Sequence, residues 1–227
     1  MGGEGLPLAI EDLEVRSTDG RVLLSVPRLE LPAGGTLGIR GPSGAGKSTL
    51  LFALAGLQDR MTGRIRWGDT DLGALRSGPR TAFRALHVGI VFQDFLLFEE
   101  LGPLANASLA AMYRPRAERP GIRDRARRLL RRFGVDEDGR TVPTLSGGER
   151  QRVAVARAMS GDAAILLADE PTANLDRDTG ERLLADLLAR VRENGTTLVA
   201  VSHDDRLLAR MDRVVKIVDG QMVSAHA

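Results

Sequence analysis

The 227-residue chain has no cysteine, one tryptophan, one tyrosine and only two lysines, Lys47 and Lys216, among its 32 basic residues. The missing cysteine excludes a disulfide scaffold, a thiolate zinc site, an iron–sulfur cluster and a cysteine nucleophile. The scarcity of lysine and tyrosine leaves almost nothing to titrate between pH 8 and 10. A formal charge of only +2 therefore persists to high pH, and the isoelectric point of 9.6 reports missing buffering groups rather than a basic surface. No apolar run approaches the roughly 18 residues of a membrane span. Met1–Gly5 carries neither a basic flank nor an apolar segment, so no secretory leader is expected. Together these absences predict a soluble, intracellular chain. Its 43% hydrophobic content is ample for one sizeable core.

What is present falls into zones. Residues 8–31 alternate apolar and polar in short runs, with Thr18-Asp19-Gly20 as a turn, and predict an antiparallel β region over 1–35. Thr36–Arg40, His87–Phe92, Ala163–Ala168, Thr197–Ser202 and Val214–Val218 are compact apolar runs suited to strands buried on both faces. Helical spacing lies between them, in Ile122, Ala126, Leu129, Leu130 and Phe133 and again in Leu183, Leu184, Leu187, Leu188 and Val191. Strands separated by helices predict an α/β fold with a mainly parallel sheet. The core spans 36–93 and 163–227, and residues 94–162 read as an inserted helical subdomain with Pro115–Gly121 as its flexible loop.

Thr36–Arg40 runs into Gly41-Pro42-Ser43-Gly44-Ala45-Gly46-Lys47-Ser48-Thr49 and then an apolar helix. G-x-x-x-x-G-K-S between a strand and a helix is a P-loop: glycines let backbone N–H groups curl around a polyphosphate at a helix N-terminus. Lys47 then bridges the β- and γ-phosphates and Ser48 ligates Mg²⁺. In a chain that writes nearly every cation as arginine, a lysine here is not what composition predicts. A compact ammonium fits where a planar guanidinium does not.

Ala164–Pro171 is a buried strand ending in two carboxylates. Asp169 can hold Mg²⁺ through water and Glu170 can act as general base on the attacking water. Leu145-Ser146-Gly147-Gly148-Glu149-Arg150-Gln151 opens a helix with a hydroxyl and exposed N–H groups, a second anion-binding helix start.

Over nearly its whole length the sequence resembles the ATP-binding-cassette (ABC) ATPases. The P-loop Gly41–Thr49, Gln93 after a strand, the signature Leu145–Gln151, Asp169-Glu170, the loop Asn174-Leu175-Asp176 and His203 after Thr197–Ser202 stand in that family's order. The resemblance implies one cassette domain over 1–227, with ATP and Mg²⁺ as ligands. It implies a homodimer (or pseudo-dimer) joined by ATP, each nucleotide lying between one P-loop and the partner's Ser146-Gly147-Gly148. His203 is then expected at the γ-phosphate, Gln93 at Mg²⁺, and Asp176 in communication across the interface. Within the family, Leu167–Asp176 and Val91–Phe95 look like the lipoprotein-releasing, macrolide-export and cell-division ATPases, whereas Glu99–Asn106 diverges from that group.

One departure concerns the base. The family stacks an aromatic on adenine from the N-terminal β region, but the first aromatic here is Phe52. The expected position falls near Arg16 or Ser17, and Arg16 can stack through its guanidinium, which implies loosely held adenine and partial acceptance of GTP.

A transport ATPase without membrane spans needs a separate permease, and Phe95-Leu96-Leu97-Phe98 after Gln93 is the candidate docking patch. The expected place of the chain is peripheral, on the cytoplasmic face of the membrane. The alternative is an ABC ATPase acting on nucleic acid through the nine arginines of Arg114–Arg132. Against it stand interspersed Glu118 and Asp124, the acidic run Asp136-Glu137-Asp138, absent aromatic interleaving and the placement of the arginines opposite Ile122, Ala126 and Leu130. No nucleic-acid partner is expected.

Overall fold

The structure, a computed structural model, describes residues 4–136 and 139–226, with side chains as far as Val223. Glu137 and Asp138, weighed above against a nucleic-acid face, lie outside the described residues, as do Met1–Gly3.

The antiparallel region begins with β1 (Leu8–Arg16) and β2 (Val22–Leu31), paired from Leu8↔Leu31 to Arg16↔Val22. In β1 the buried residues are Leu8, Ile10, Leu13 and Val15. Strict alternation cannot put 10 and 13 on one face. The step is absorbed at Asp12, whose φ of 48° accompanies a register shift against the neighbouring strand. That neighbour is β4 (Met61–Trp67), and β5 (Thr70–Asp71) follows it at the sheet edge. Residues 61–71 thus join the antiparallel part rather than the parallel core in which the sequence reading placed them. Arg64 and Arg66 point out of this sheet and pair with Glu11, which thins the apolar pattern that would have marked a strand.

The parallel core holds β3 (Thr36–Arg40), β6 (Val88–Val91), β7 (Ile165–Asp169) and β8 (Thr197–Val201), with β9 (Arg213–Val218) parallel on the far side of β3. β7 and β8 are buried at every position, as continuous apolar runs demand. After the Asp219-Gly220 turn, β10 (Gln221–His226) returns against β9 and touches β2 at Gln221↔Ser25. One ten-stranded sheet results, ordered β5-β4-β1-β2-β10-β9-β3-β8-β7-β6.

Helix α1 (Lys47–Leu54) packs on β2, β7 and β8. Trp67, 1% exposed, donates its indole N–H to the Leu54 carbonyl at 2.9 Å and fastens the far end of α1 to the antiparallel region. α2 (Ser77–His87) leads into β6. Between β6 and β7 the chain forms α3 (Pro103–Ala107), a 3₁₀ turn (Leu109–Tyr113), α4 (Arg119–Arg132) and α5 (Gly147–Ser160), which surround a second apolar core. α6 (Arg177–Asn194) and the short α7 (Asp205–Leu208) complete the fold.

Two expectations need correction. Pro115–Gly121 is not wholly a loop, because α4 starts at Arg119 and Pro120 sits in its first turn, where a missing N–H costs nothing. Nor are the arginines of Arg114–Arg132 all simply solvated. In α4, Arg125 donates to the Ser160 carbonyl at 2.9 Å and Arg132, still nearly half exposed, pairs with Asp186 at 2.6 Å; ahead of the helix, Arg114 donates to the Leu86 carbonyl at 2.7 Å. These side chains bind the insertion to its surroundings.

Candidate active site

Register decides where the chemistry gathers. Ile39 of β3 is level with Val201 of β8, Val201 with Asp169 of β7, and Ala168 with Val91 of β6. The residues that follow these four parallel strands therefore emerge along one edge: Gly41, His203, Glu170 and Gln93. In open α/β sheets that carboxyl edge is where ligands bind.

The loop after β3 is shaped by two close approaches. A Cβ on Gly41 (φ 155°) would strike the Ile217 carbonyl of β9, and one on Gly46 (φ 99°) would come within 3.0 Å of the Leu23 carbonyl of β2. Both positions need glycine. Pro42, Ser43, Gly44 and Ala45 complete the curl, and Lys47, Ser48 and Thr49 open α1. The Lys47 side chain is buried, and Nζ donates to the Gly41 and Pro42 carbonyls at 2.8 and 2.9 Å. The ammonium is thus arched over the loop. Helix α1 has no capping side chain and no acidic residue in its first turn, so its N–H groups and dipole are left for an anion.

Asp169, 5% exposed, ends β7 and forms no ion pair among the described residues. Glu170 follows with φ 48°, a costly conformation for a non-glycine residue. Its Oε2 lies 3.4 Å from the Ser202 hydroxyl and from the His203 N–H, and Oε1 lies 3.4 Å from His203 Nε2. Burial raises the Glu170 pKa, while the His203 N–H and imidazole pull it partly back. The result is a carboxylate of enhanced basicity, with one buried oxygen lacking a hydrogen bond, beside an exposed imidazole.

Not all sequence-derived residues meet here. Helix α5, which begins at Gly147, packs on α3, α4 and β6, whereas α1 packs on β2, β7 and β8. Ser146 caps α5 in a reciprocal box: its hydroxyl accepts from the Glu149 N–H at 3.2 Å, and Glu149 accepts from the Ser146 N–H at 2.9 Å. The box engages those two donors, so the N–H groups of Gly147 and Gly148 are left for a ligand. Gly148 abuts Leu175 and Asn174 of the same chain. Asp176 caps α6 through the Thr179 N–H at 3.0 Å, which lowers its pKa. Gln93 is exposed, two residues past β6. Arg16 ends β1 with its guanidinium on Glu14 (2.6 Å) and the Gly20 carbonyl (3.1 Å), and the side chain remains 46% exposed.

Two contributors escape the sequence reading. Ser202, fully buried, donates to Glu170, and its signal is a lone hydroxyl closing an apolar strand. Glu149 was legible only as the fourth residue of a Ser-x-x-Glu box.

A strand, a glycine loop closed by lysine and serine, and a carboxylate pair at the ends of neighbouring parallel strands define a P-loop nucleoside-triphosphatase site. The ABC transporter family matches residues 24–173. The chain is 43% identical over 201 residues to the uncharacterized ABC transporter ATP-binding protein YbbA of Escherichia coli K12, covering 88% of each. It is also 43% identical over 206 residues to the lipoprotein-releasing system ATP-binding protein LolD of Granulibacter bethesdensis, covering 90% of this chain and 89% of that one. The fold matches the ATP-binding cassette MJ0796, solved as a post-hydrolysis dimer bound to ADP and Pi. That match has a TM-score of 0.88 and 30% identity over 96% of this chain and 97% of the other. The chain belongs to the ABC transporter family of ATPases.

Proposed function

We infer that this chain is the ATP-binding and ATP-hydrolysing subunit of a transporter, acting as a nucleotide-joined dimer on a separate membrane-spanning permease. One observation carries the reading: Gly41–Thr49, Gln93, Asp169-Glu170 and His203 follow four neighbouring parallel strands and share one edge. The loop N–H groups and Lys47 hold the polyphosphate. Glu170 takes a proton from the attacking water, Ser202 steadies that carboxylate, and His203 sits at the γ-phosphate. Arg16 lies against the base.

The donor set fits Mg²⁺. Ser48, Asp169 and Gln93 offer hard oxygen atoms, and no cluster of three metal-ligating side chains exists among the described residues. One or two protein oxygens completed by phosphates are what Mg²⁺ uses. When bound, the ion neutralises charge on the transferring phosphoryl group.

The separate packing of α1 and α5 supports dimerisation. Gly147 and Gly148 offer N–H groups with no triphosphate of their own chain beside them, so they serve the nucleotide of a second copy. Asp176, next to them through Asn174 and Leu175, lies at that interface. The relatives include a macrolide export ATP-binding/permease protein from Paracoccus denitrificans, 40% identical over 207 residues, of which this chain covers 30%. No helix among the described residues is long and apolar enough to cross a membrane. In this reading the membrane-spanning part is a permease partner, and this subunit lies on its cytoplasmic side. Its docking surface is the exposed apolar patch of Leu96, Phe98, Met112 and Tyr113, which shares Tyr113 with a groove of about 330 Å³ lined by Arg84, Leu86, Phe92 and Leu109.

Replacing Glu170 by Gln removes the base and keeps the shape. The expected outcome is a stable dimer with ATP and Mg²⁺, seen by light scattering, and loss of phosphate release by about 10²-fold or more. A variant that stays monomeric and hydrolyses normally would overturn these roles.

A further inference from the structure

We propose that Arg157, on the signature helix α5, is a positioning residue that sets the backbone of the Gln93 loop and ties it to the Ser146 end of that helix. Phe95 and Leu96, two and three residues past Gln93, have φ of 61° and 47°. Consecutive left-handed residues that are not glycine do not hold that shape unaided. The Arg157 guanidinium donates one terminal nitrogen to the Phe95 carbonyl at 2.6 Å and the other to the Leu96 carbonyl at 2.5 Å. It has no carboxylate partner among the described residues, and burial pushes it down to about 10. A desolvated cation spent on two backbone carbonyls marks a built contact rather than a surface accident.

A second α5 residue acts on the same loop. The guanidinium carbon of Arg150 lies 5.9 Å from the centre of the Phe95 ring. Arg150 and Arg157 are seven residues apart, hence on one face of α5. The helix that presents Gly147 and Gly148 at one end therefore grips the Gln93 loop at two places along its length. On the outer side of the loop, Leu96 and Phe98 are 57% and 55% exposed. A shift of α5 on nucleotide binding reaches that surface through Arg157, and permease contact at Leu96 reaches Gln93 by the same route. This extension rests on the reading of α5 as the nucleotide-facing helix. The planar fork suits the residue type, since it offers each carbonyl its own nitrogen in a fixed geometry, whereas an ammonium must serve both from a single point.

The test uses the purified subunit with Arg157→Met, Arg157→Lys, Leu96→Gly and the Arg157→Met/Leu96→Gly pair. Amide hydrogen exchange at Phe95 and Leu96 is expected to quicken about 10-fold in Arg157→Met, the loss of a charge-assisted bond. Amides of β7 and α6 are expected to stay unchanged. ATP turnover is expected to fall in kcat with KM held. Leu96→Gly in that background is expected to raise kcat about threefold, because glycine takes the left-handed shape without a clamp. Arg157→Lys, which keeps charge and bulk, is expected to fall between, and it stands in if Arg157→Met does not fold. Unchanged exchange at Phe95 and Leu96, or a kcat that Leu96→Gly fails to raise, overturns the proposal. A wild-type subunit without ATP turnover defeats the functional reading instead, and the exchange data still decide the role of Arg157.

Discussion

At the scale of single residues, Glu170 carries two opposed demands. Its proposed role as general base needs it ionised, while burial favours the protonated form and raises its pKa. Turnover is therefore expected to fall as pH drops through a value above the ordinary glutamate range near 4.3, read from kcat against pH. The linkage sign follows from the same shift. A folded-state pKa above the unfolded one means the native state binds the proton more tightly. That contribution to stability is present at acid pH and lost as pH rises through the folded value. Glu170→Gln removes the buried charge at neutral pH, so Tm at pH 7 is expected to rise by about 2–4 °C, roughly 1 kcal/mol in a chain of this size. The gain is expected to shrink by pH 4, and a constant offset at both pH values would contradict the burial account. Arg16 makes a different demand. Its guanidinium is anchored at its edge by Glu14 and Gly20 while nearly half of the side chain stays exposed, a geometry that leaves a face for a base. Arg16→Ala is expected to raise KM for ATP and for GTP by similar factors of about 3–10, measured side by side. A strong ATP preference in the wild type would contradict loose adenine binding.

At the scale of elements, the parallel strands were legible because both faces are buried and their apolar runs are unbroken. β3 spans the same residues in sequence and structure, and β7 and β8 differ from expectation by one or two at their ends. β4 was not legible, since its outward arginines pair with Glu11 and erase the apolar run. The bulge at Asp12 was not read, although the apolar residues change parity between Ile10 and Leu13. Within α4, spacing marked the buried face but not the reach of its arginines. A long side chain at the edge of the apolar stripe, such as Arg125, crosses to a neighbouring carbonyl that no periodicity announces. The residues proposed as catalytic were readable because each follows an apolar strand at a motif position. Arg157 was hidden among thirteen residues of ordinary helix, and nothing in an arginine-rich chain sets one arginine apart before the loop it clamps is seen.

At the scale of the whole molecule, the ten-stranded sheet joins an antiparallel wing to a parallel core, and the helical insertion hangs from one end of it. The large apolar side chains left in water are unevenly placed. Leu96, Phe98, Met112 and Tyr113 are 55–69% exposed and belong to the stretch just after Gln93 and the 3₁₀ turn. Leu97 between the first two turns inward onto the second core, so this exposure is a choice of register and not a frayed loop. The backbone beneath is fixed as well. Asn106, fully buried, accepts from the Phe98 N–H at 2.9 Å and donates to the Phe98 and Leu101 carbonyls at 3.0 and 3.1 Å. A rigid platform presenting apolar side chains is suited to a partner. Phe98→Asp is accordingly expected to leave Tm within about 2 °C of the parent, as exposed substitutions do. The same variant is expected to lose capture of a co-expressed permease partner by about 10-fold or more. Asn106→Ala serves as the contrast, because it removes all four hydrogen bonds of a buried side-chain amide and is expected to cost about 1–3 kcal/mol of stability. Undiminished capture by Phe98→Asp would move the docking surface elsewhere on the molecule.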